Sequence, residues 1–273
     1  TILTFPGVPS EMKTMWEETA YDFIKNKFSD SYSFFSNTLK FSGIGESSVA
    51  EKINDLLNLK NPTVAPYANI GEVKLRITAR AKNDLEAKNI IKPVKEKLKK
   101  EFSKFIFGED NDTLPSVLIK ELAERNQTIV FAESCTGGLL SSSLTSISGS
   151  SQVFLGSIVS YSNKLKNSLL NISEEKLTKY GAVSEEVCKA MAINVKEKLG
   201  ADWAIAVSGI AGPNGGSQDK PVGLVYISIS GPNNHITNIK KLFNSTRNRK
   251  EIQTLSVNVC LNSLRLILLS NSK

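Results

Sequence analysis

The chain reads as an α/β protein, a layered α/β C-terminal domain with a mixed sheet preceded by a small α+β domain. Three observations predict this. From residue 114 onward, apolar runs of strand length alternate with helical stretches, the pattern of a layered α/β sheet. Residues 34–110 carry a β-α-β-β-α-β order, which closes on itself as a separate α+β unit. Between them lies the polar stretch GEDNDTLP (108–115), with Thr113 placed to cap a helix and Pro115 in its first turn. At 273 residues with 40% hydrophobic content, the chain can bury two cores.

The elements follow in order. Residues 1–30 are expected to form a short strand, a turn at Gly7-Val8-Pro9, Ser10 as an N-cap and then a helix. FFSNTLKFSGI alternates as a strand does, and GESSVAEKINDLLNL reads as one helix. PTVAPYANIGEVKLRITARA is two strands about a turn at residues 68–71. NDLEAKNIIKPVKEKLKKEF is a long amphipathic helix with Pro93 near a kink or a start, and FIFGED is a short strand. The second unit gives helix 114–125, strand 128–133, helix 138–147 and strand 153–161. Helices near 163–170, 173–179 and 184–199 come next, the last capped by Ser184. Strands 203–208, 222–230 and 235–243 and a final helix, 247–270, complete it.

Composition narrows the function classes. The net charge of +7 is owed to residues 34–273, since residues 1–33 are net acidic, and much of the lysine lies in stretches such as KPVKEKLKKEFSK, which read as solvated helix faces. Nucleic acid is therefore not an expected partner. No apolar run reaches membrane-spanning length and no signal-like segment opens the chain, so no membrane association is expected. Cys135, Cys188 and Cys260 are odd in number and form no C-x-x-C pair, which favours a reducing compartment, the cytoplasm, and argues against zinc. Starting at Thr1, the chain is expected to be a piece of something longer.

The candidate chemistry is constrained by a single histidine, His235, in the turn GPNNH, read as an exposed loop residue. Acid–base work should then fall to Lys, Glu, Asp or Tyr. Two Gly-rich loops leave strand ends. ESCTGG holds three side chains able to attack a carbonyl: Ser134, Cys135 and Thr136. SGIAGPNGGSQDKPVG (208–223) has five glycines and two prolines. Such turns present N–H groups and a helix dipole to anions, although neither fits the usual nucleotide-binding patterns. A third stretch, SGSSQVFLGSIVSYSNKLK (148–166), carries Ser150, Ser151, Tyr161, Asn163, Lys164 and Lys166. A desolvated lysine is the natural base for a serine when histidine is unavailable.

On AESCTGG, GSSQVFLGSIVSYSNKLK, YGAVSEE, SGIAGPNGGSQDKPVG and the arginine after LFNST, residues 111–273 resemble the C-terminal domain of the CinA (competence/damage-inducible) family, the domain also known alone as PncC. Residues 34–110 resemble the family's KH-like middle domain, and residues 1–33, with FPGVPSEM, the tail of its molybdopterin-binding-like N-terminal domain. The resemblance implies a nicotinamide-nucleotide amidase, which deamidates nicotinamide mononucleotide to nicotinate mononucleotide and ammonia with no metal or cofactor. By motif position it implies Ser151 as nucleophile, Lys166 as general base and Tyr161 as the assisting tyrosine. It places Arg247 near the site, with Arg249 as the alternative because the family's GDR reads STR here.

Ser134, Thr136, Gly137, Gly138, Asn163, Gly209 and Gly212 are expected to hold substrate, with Cys135 packed beneath. Ten residues separate Ser151 from Tyr161, about 33 Å in an extended strand. They can share a site only if the chain bends near Leu155-Gly156 or a second subunit contributes, and a homodimer is the expected assembly. The competing reading is a non-catalytic nucleotide- or nucleic-acid-binding protein. Its obvious loop, SGIGESS, carries Glu46 and no Lys or Arg, against the basic G-x-x-G loop that clamps a nucleic-acid backbone.

Overall fold

The computed structural model describes residues 1–27 and 32–270. The expected continuation of the first helix to residue 30, the adjoining residue 31 and the last three residues lie outside that range. The chain begins with α1 (Pro9–Met15), a π-helical turn (Trp16–Ala20) and α2 (Tyr21–Lys27). The expected strand before them is absent, since residues 1–6 have no regular structure. Val8, not Ser10, is the N-cap of α1, because Pro9 takes the first helical turn, where its missing N–H costs nothing.

The next unit runs β1 (Ser33–Phe41), α3 (Glu46–Lys52), α4 (Asn54–Leu57), β2 (Thr63–Asn69), β3 (Glu72–Ala81), α5 (Asp84–Glu101) and β4 (Ile106–Glu109). The strands pair antiparallel in the order β2-β3-β1-β4. Leu39, Phe41, Leu75 and Ile77 point from one face of this sheet into a core shared with Val49, Ile91 and Leu98 of the helices. The helix expected over residues 45–59 is two pieces, because Ile53 (φ −111°) breaks the helical backbone between α3 and α4. Asn83 caps α5 by accepting from Glu86 N–H. Pro93 sits inside α5 rather than at its start, where it leaves one carbonyl of the preceding turn without its helical donor.

The GEDNDTLP stretch is tightly bound. Asp110 accepts from Thr38 N–H at 2.8 Å, Asp112 accepts from Glu109 N–H at 2.8 Å, and Lys40 Nζ donates to the Asp112 carbonyl at 2.6 Å. Thr113 and Ser116 then form a reciprocal capping box that starts α6 (Leu114–Glu124).

From α6 the chain continues through β5 (Ile129–Glu133), α7 (Leu139–Thr145), β6 (Phe154–Val159), α8 (Asn163–Leu170), α9 (Glu174–Tyr180) and α10 (Glu185–Leu199). It ends with β7 (Trp203–Gly209), β8 (Leu224–Ser230), β9 (Ile236–Leu242) and α11 (Arg249–Ser270). The sheet order is β6-β5-β7-β8-β9, with β6, β5 and β7 parallel and the last two strands antiparallel, so the sheet is mixed. Alternation along β5 splits the core. Ile129 and Phe131 pack with α6, α7 and α11, while Val130 and Ala132 pack with α10. The strand is buried on both faces, which is why it reads as a continuous apolar run.

Among the described helices, α11 alone is long and apolar enough to meet a membrane-span criterion, with a mean hydropathy of 1.4 over its best window. That apolar character is used in the core, where Ile252, Val257, Leu261, Leu264 and Leu268 are buried. The same helix fastens the two sheets together. Arg265, 3% exposed, donates to the Lys104 carbonyl at 3.0 Å and the Ile106 carbonyl at 3.3 Å, and Asn258 donates to the Ile70 carbonyl at 3.2 Å.

Candidate active site

The carboxyl ends of the parallel strands β5 and β6 face the same side of the sheet, where ligands of open α/β folds bind. There β5 passes through Ser134 into a sharp turn before α7. Gly137 (φ 62°) and Gly138 (φ 102°) adopt left-handed backbone that a side chain would disfavour, which accounts for the Gly-Gly of ESCTGG. The turn is built on Glu133, which is fully buried. Its carboxylate accepts from Thr136 Oγ1 at 2.7 Å, from the N–H groups of Gly138 (3.0 Å), Leu140 (3.1 Å) and Ser141 (2.9 Å), and from Ser141 Oγ. A carboxylate at a helix N-terminus satisfies donors that otherwise lack partners and sits in the favourable end of the helix dipole.

Ser134 points to the opposite face of the sheet from Glu133. There it meets Lys166 of α8, whose N-cap is Ser162. Lys166 is 1% exposed; its Nζ lies 3.0 Å from Ser134 Oγ, 2.7 Å from the Ser160 carbonyl and 3.4 Å from the Tyr161 carbonyl. Burial pushes the Lys166 amine below its ordinary value, and among the described residues no carboxylate bonds to it to hold the proton. Ser160 Oγ, buried beside this pair, has no hydrogen-bond partner among the described residues.

Tyr161 is 58% exposed at the mouth of the site. Its hydroxyl accepts from Arg249 Nη2 at 2.7 Å, while Arg249 Nη1 donates to the Gly212 carbonyl at 2.9 Å. Arg249 thus joins the start of α11, the β6–α8 connection and the 210–223 loop. Lys220 ties the same loop to the Tyr180 carbonyl at 2.7 Å, and Ser208 Oγ donates to the Ala182 carbonyl at 2.7 Å, so YGAVSEE and the Gly-rich loop form one rim. A cavity of about 630 Å³ opens beside the turn, lined by Thr136, Gly137, Gly138, Arg249 and Lys250 among others.

Several expectations need correction. Within one chain, Ser151 does not meet Lys166. It is exposed in a 3-10 turn (Ser150–Gln152) ahead of β6, at the opposite end of the sheet, about 20 Å away along the strand. Gly156 (φ 149°) does not fold the strand back, since β6 stays paired with β5 to Val159. Arg247 lines a groove against the middle unit, and Arg249 is the arginine at the site. Thr136 Oγ1 and the Gly138 N–H are taken by Glu133, and the Gly137 N–H donates to the Ser134 carbonyl, so these donors build the turn and are not free for a ligand.

Asn163 is exposed at the first position of α8. Gly209 is a close-approach glycine, since a Cβ there would meet the Leu224 carbonyl oxygen at 2.7 Å. Cys135 is buried as expected, and desolvation raises its thiol to about 12. His235 is half-buried and not an exposed loop residue, edge-on to Trp203 with ring centroids 5.8 Å apart. That places it near the start of β7, away from Ser134.

The fold and the site define a two-part protein, a KH-like unit followed by a mixed α/β domain that carries a buried serine–lysine pair. Residues 36–108 match the damage-inducible protein CinA KH domain and residues 111–268 match the CinA C-terminal domain. A CinA-like protein of Prochlorococcus marinus strain AS9601 is 92% identical over 273 residues, covering 100% of this chain and 64% of its own length. The CinA-like protein of Gloeothece citriformis is 50% identical over 97% of this chain and 64% of its own. The competence/damage inducible protein CihA from Agrobacterium tumefaciens shares the fold with a TM-score of 0.55 at 36% identity, covering 57% of this chain and 93% of its own. A CinA superfamily protein from Escherichia coli gives 0.54 at 28% identity, over 58% and 92%. The chain belongs to the CinA family, and it spans about 64% of the length of these CinA-like relatives.

Proposed function

We propose that the C-terminal domain is a metal-independent serine amidohydrolase that deamidates nicotinamide mononucleotide, with Ser134 as nucleophile and Lys166 as general base. The observation that carries this reading is the 3.0 Å separation of Lys166 Nζ and Ser134 Oγ, within the reach a base needs. Burial favours the neutral amine, whose two N–H groups satisfy the Ser160 and Tyr161 carbonyls and leave its lone pair for the serine proton. The strand–turn–helix setting supports it too, because a nucleophile on such a turn is held at a strand end with backbone donors next to it.

In this mechanism Ser134 Oγ attacks the carboxamide carbon while its proton passes to Lys166 Nζ. The tetrahedral intermediate collapses with cleavage of the C–N bond, and Lys166 returns the proton to the departing amine, releasing ammonia. Water then attacks the acyl-enzyme with Lys166 again as base, giving the carboxylate and free Ser134. Among the described residues, the N–H groups of Cys135 and Thr136 donate to no backbone carbonyl and are the candidate oxyanion donors. Such donors contribute about 3 kcal/mol each. Arg249 and Lys250, lining the cavity beside Gly137-Gly138, supply the charge that a nucleotide phosphate requires.

The same proposal places the protein in the cytoplasm, in keeping with three buried free thiols, and as a homodimer, which sedimentation or light scattering tests directly. The decisive experiment is ammonia release from nicotinamide mononucleotide compared with free nicotinamide, with wild type and Ser134→Ala. Ammonia release by Ser134→Ala at the wild-type rate overturns the assignment.

A further inference from the structure

We infer that the open face of the four-stranded sheet in the KH-like unit is a binding platform for single-stranded nucleic acid. Residues 43–46 do not serve as a clamp. Gly43 sits against α11, where a Cβ would meet Asn262 Nδ2 at 3.4 Å. The whole Gly43–Glu46 loop lines a groove closed by Asn258 of α11 and by Arg247, just ahead of that helix. With α3, α4 and α5 covering one face of the sheet, the other is left open by the described residues over the first half of β1 and the facing parts of β2 and β3.

That face carries the side-chain types that hold unpaired bases. Phe34 on β1 is 76% exposed and stands opposite Arg80 of β3. Next along the strands come Ser36 and Thr78, whose hydroxyls bond at 2.9 Å, and then Arg76. Tyr67 on β2, 45% exposed, ends the strip beneath Arg76, whose guanidinium lies 5.1 Å from the ring centroid. Tyr32 lies under Arg80 at 4.7 Å in the same way. Two aromatic stations are thus about 20 Å apart along the strand direction, joined by cations and hydroxyls.

The charge is one-sided. Glu72 lies beyond Tyr67, 3.7 Å from Lys74, and Asp110 is held at the β1 edge by Thr38 N–H and Asn37. An open antiparallel sheet on which bases stack on aromatics while Arg and Lys follow the phosphates is a recurring way to bind single strands without strong sequence preference. Among alternative occupants, an acidic peptide would use the arginines but not an exposed Phe34, and a duplex hides its base faces. The aromatic-and-cation pairing therefore selects a single strand.

The test is fluorescence anisotropy of the full chain with labelled oligo(dT) and oligo(U) of about 12 nucleotides, a length typical of such sites. Hairpin duplex and polyglutamate serve as competitors. Binding is expected to favour both single strands over the duplex and polyglutamate, with the two sugars compared directly. Phe34→Ala should weaken it by about tenfold, and Arg76→Gln with Arg80→Gln should each lower the log–log salt slope by about 0.7. All three positions are exposed and remote from Ser134, so circular dichroism and ammonia release should stay at wild-type values. Equal binding by Phe34→Ala, or displacement by polyglutamate as effective as by single strands, makes this face a plain basic surface and overturns the inference. Absence of measurable binding at low salt overturns it as well, whatever the amidase assay gives.

Discussion

Lys166 Nζ sits 3.0 Å from Ser134 Oγ although 32 residues separate them in the chain. The pairing of β5 with β6 closes that gap, because parallel neighbours deliver their carboxyl ends, and the turns that follow, to one place. If that pair is the catalytic dyad, Ser134→Ala and Lys166→Met each lower kcat for amide hydrolysis by about 10³-fold or more. Ser151→Ala leaves it within about twofold, as expected for an exposed position away from special features. Steady-state ammonia release reads all three, and a dead Ser151→Ala would return the nucleophile to residue 151.

The pH dependence follows from burial of the same lysine. Only the neutral amine can accept a proton, so kcat/KM should rise with pH and level off, with the rising limb below the ordinary lysine value of 10.5 because desolvation lowers Lys166. In the interval between the lowered folded value and 10.5, the unfolded chain binds more protons, so stability should increase with pH there. Lys166→Met should remove that increase, measured as urea midpoints across pH. A limb centred at or above 10.5 contradicts the desolvated base.

Arg249 and Arg247 are two residues apart yet face different surroundings. Arg249 holds Tyr161 Oη and the Gly212 carbonyl, while Arg247 borders the groove against the middle unit. Arg249→Ala should raise KM for the nucleotide by about 10–100-fold, the scale of a charge-assisted hydrogen bond. Arg247→Ala should change it by about twofold or less. The reverse ranking would move the phosphate site to the groove.

Cys135 adjoins Ser134, yet its thiol is 5% exposed and desolvated to a pKa of about 12, and Cys188 and Cys260 are buried as well. Thiolate chemistry at neutral pH is therefore closed to all three. Native protein should resist iodoacetamide and keep full amidase activity after exposure, and alkylation should appear only with unfolding. Inactivation that tracks labelling of Cys135 would count against a serine nucleophile.

Glu133 acts as the keystone of the turn. Glu133→Gln replaces an oxygen with an amide nitrogen facing N–H and O–H donors, at a cost of about 3 kcal/mol. Urea denaturation should show a loss of that order, with activity falling as the Ser134 turn loosens. A change below about 0.5 kcal/mol would mean that the five donors find other acceptors at little cost.

Much of this architecture is legible in the residues alone. The alternation of strand and helix signals is carried by local periodicity, and the caps at Asn83, Thr113 and Ser184 by short-range hydrogen bonding; each needs only near neighbours in the chain. Lys166 stood out in the sequence on a related ground: with one histidine in the chain, few other side chains could take a serine proton, and the structure buries this lysine beside a serine. Which serine it serves was not legible there. Ser151 is nearer to Lys166 in sequence than Ser134, but a strand carries its two ends apart, and only the β5–β6 pairing shows which ends coincide. The same holds for Arg249 over Arg247, decided by how α11 enters the fold, and for the open sheet face, which exists only because all three helices of that unit gather on the other side. Local sequence determined what each segment is. Long-range packing decided which of the reactive groups meet.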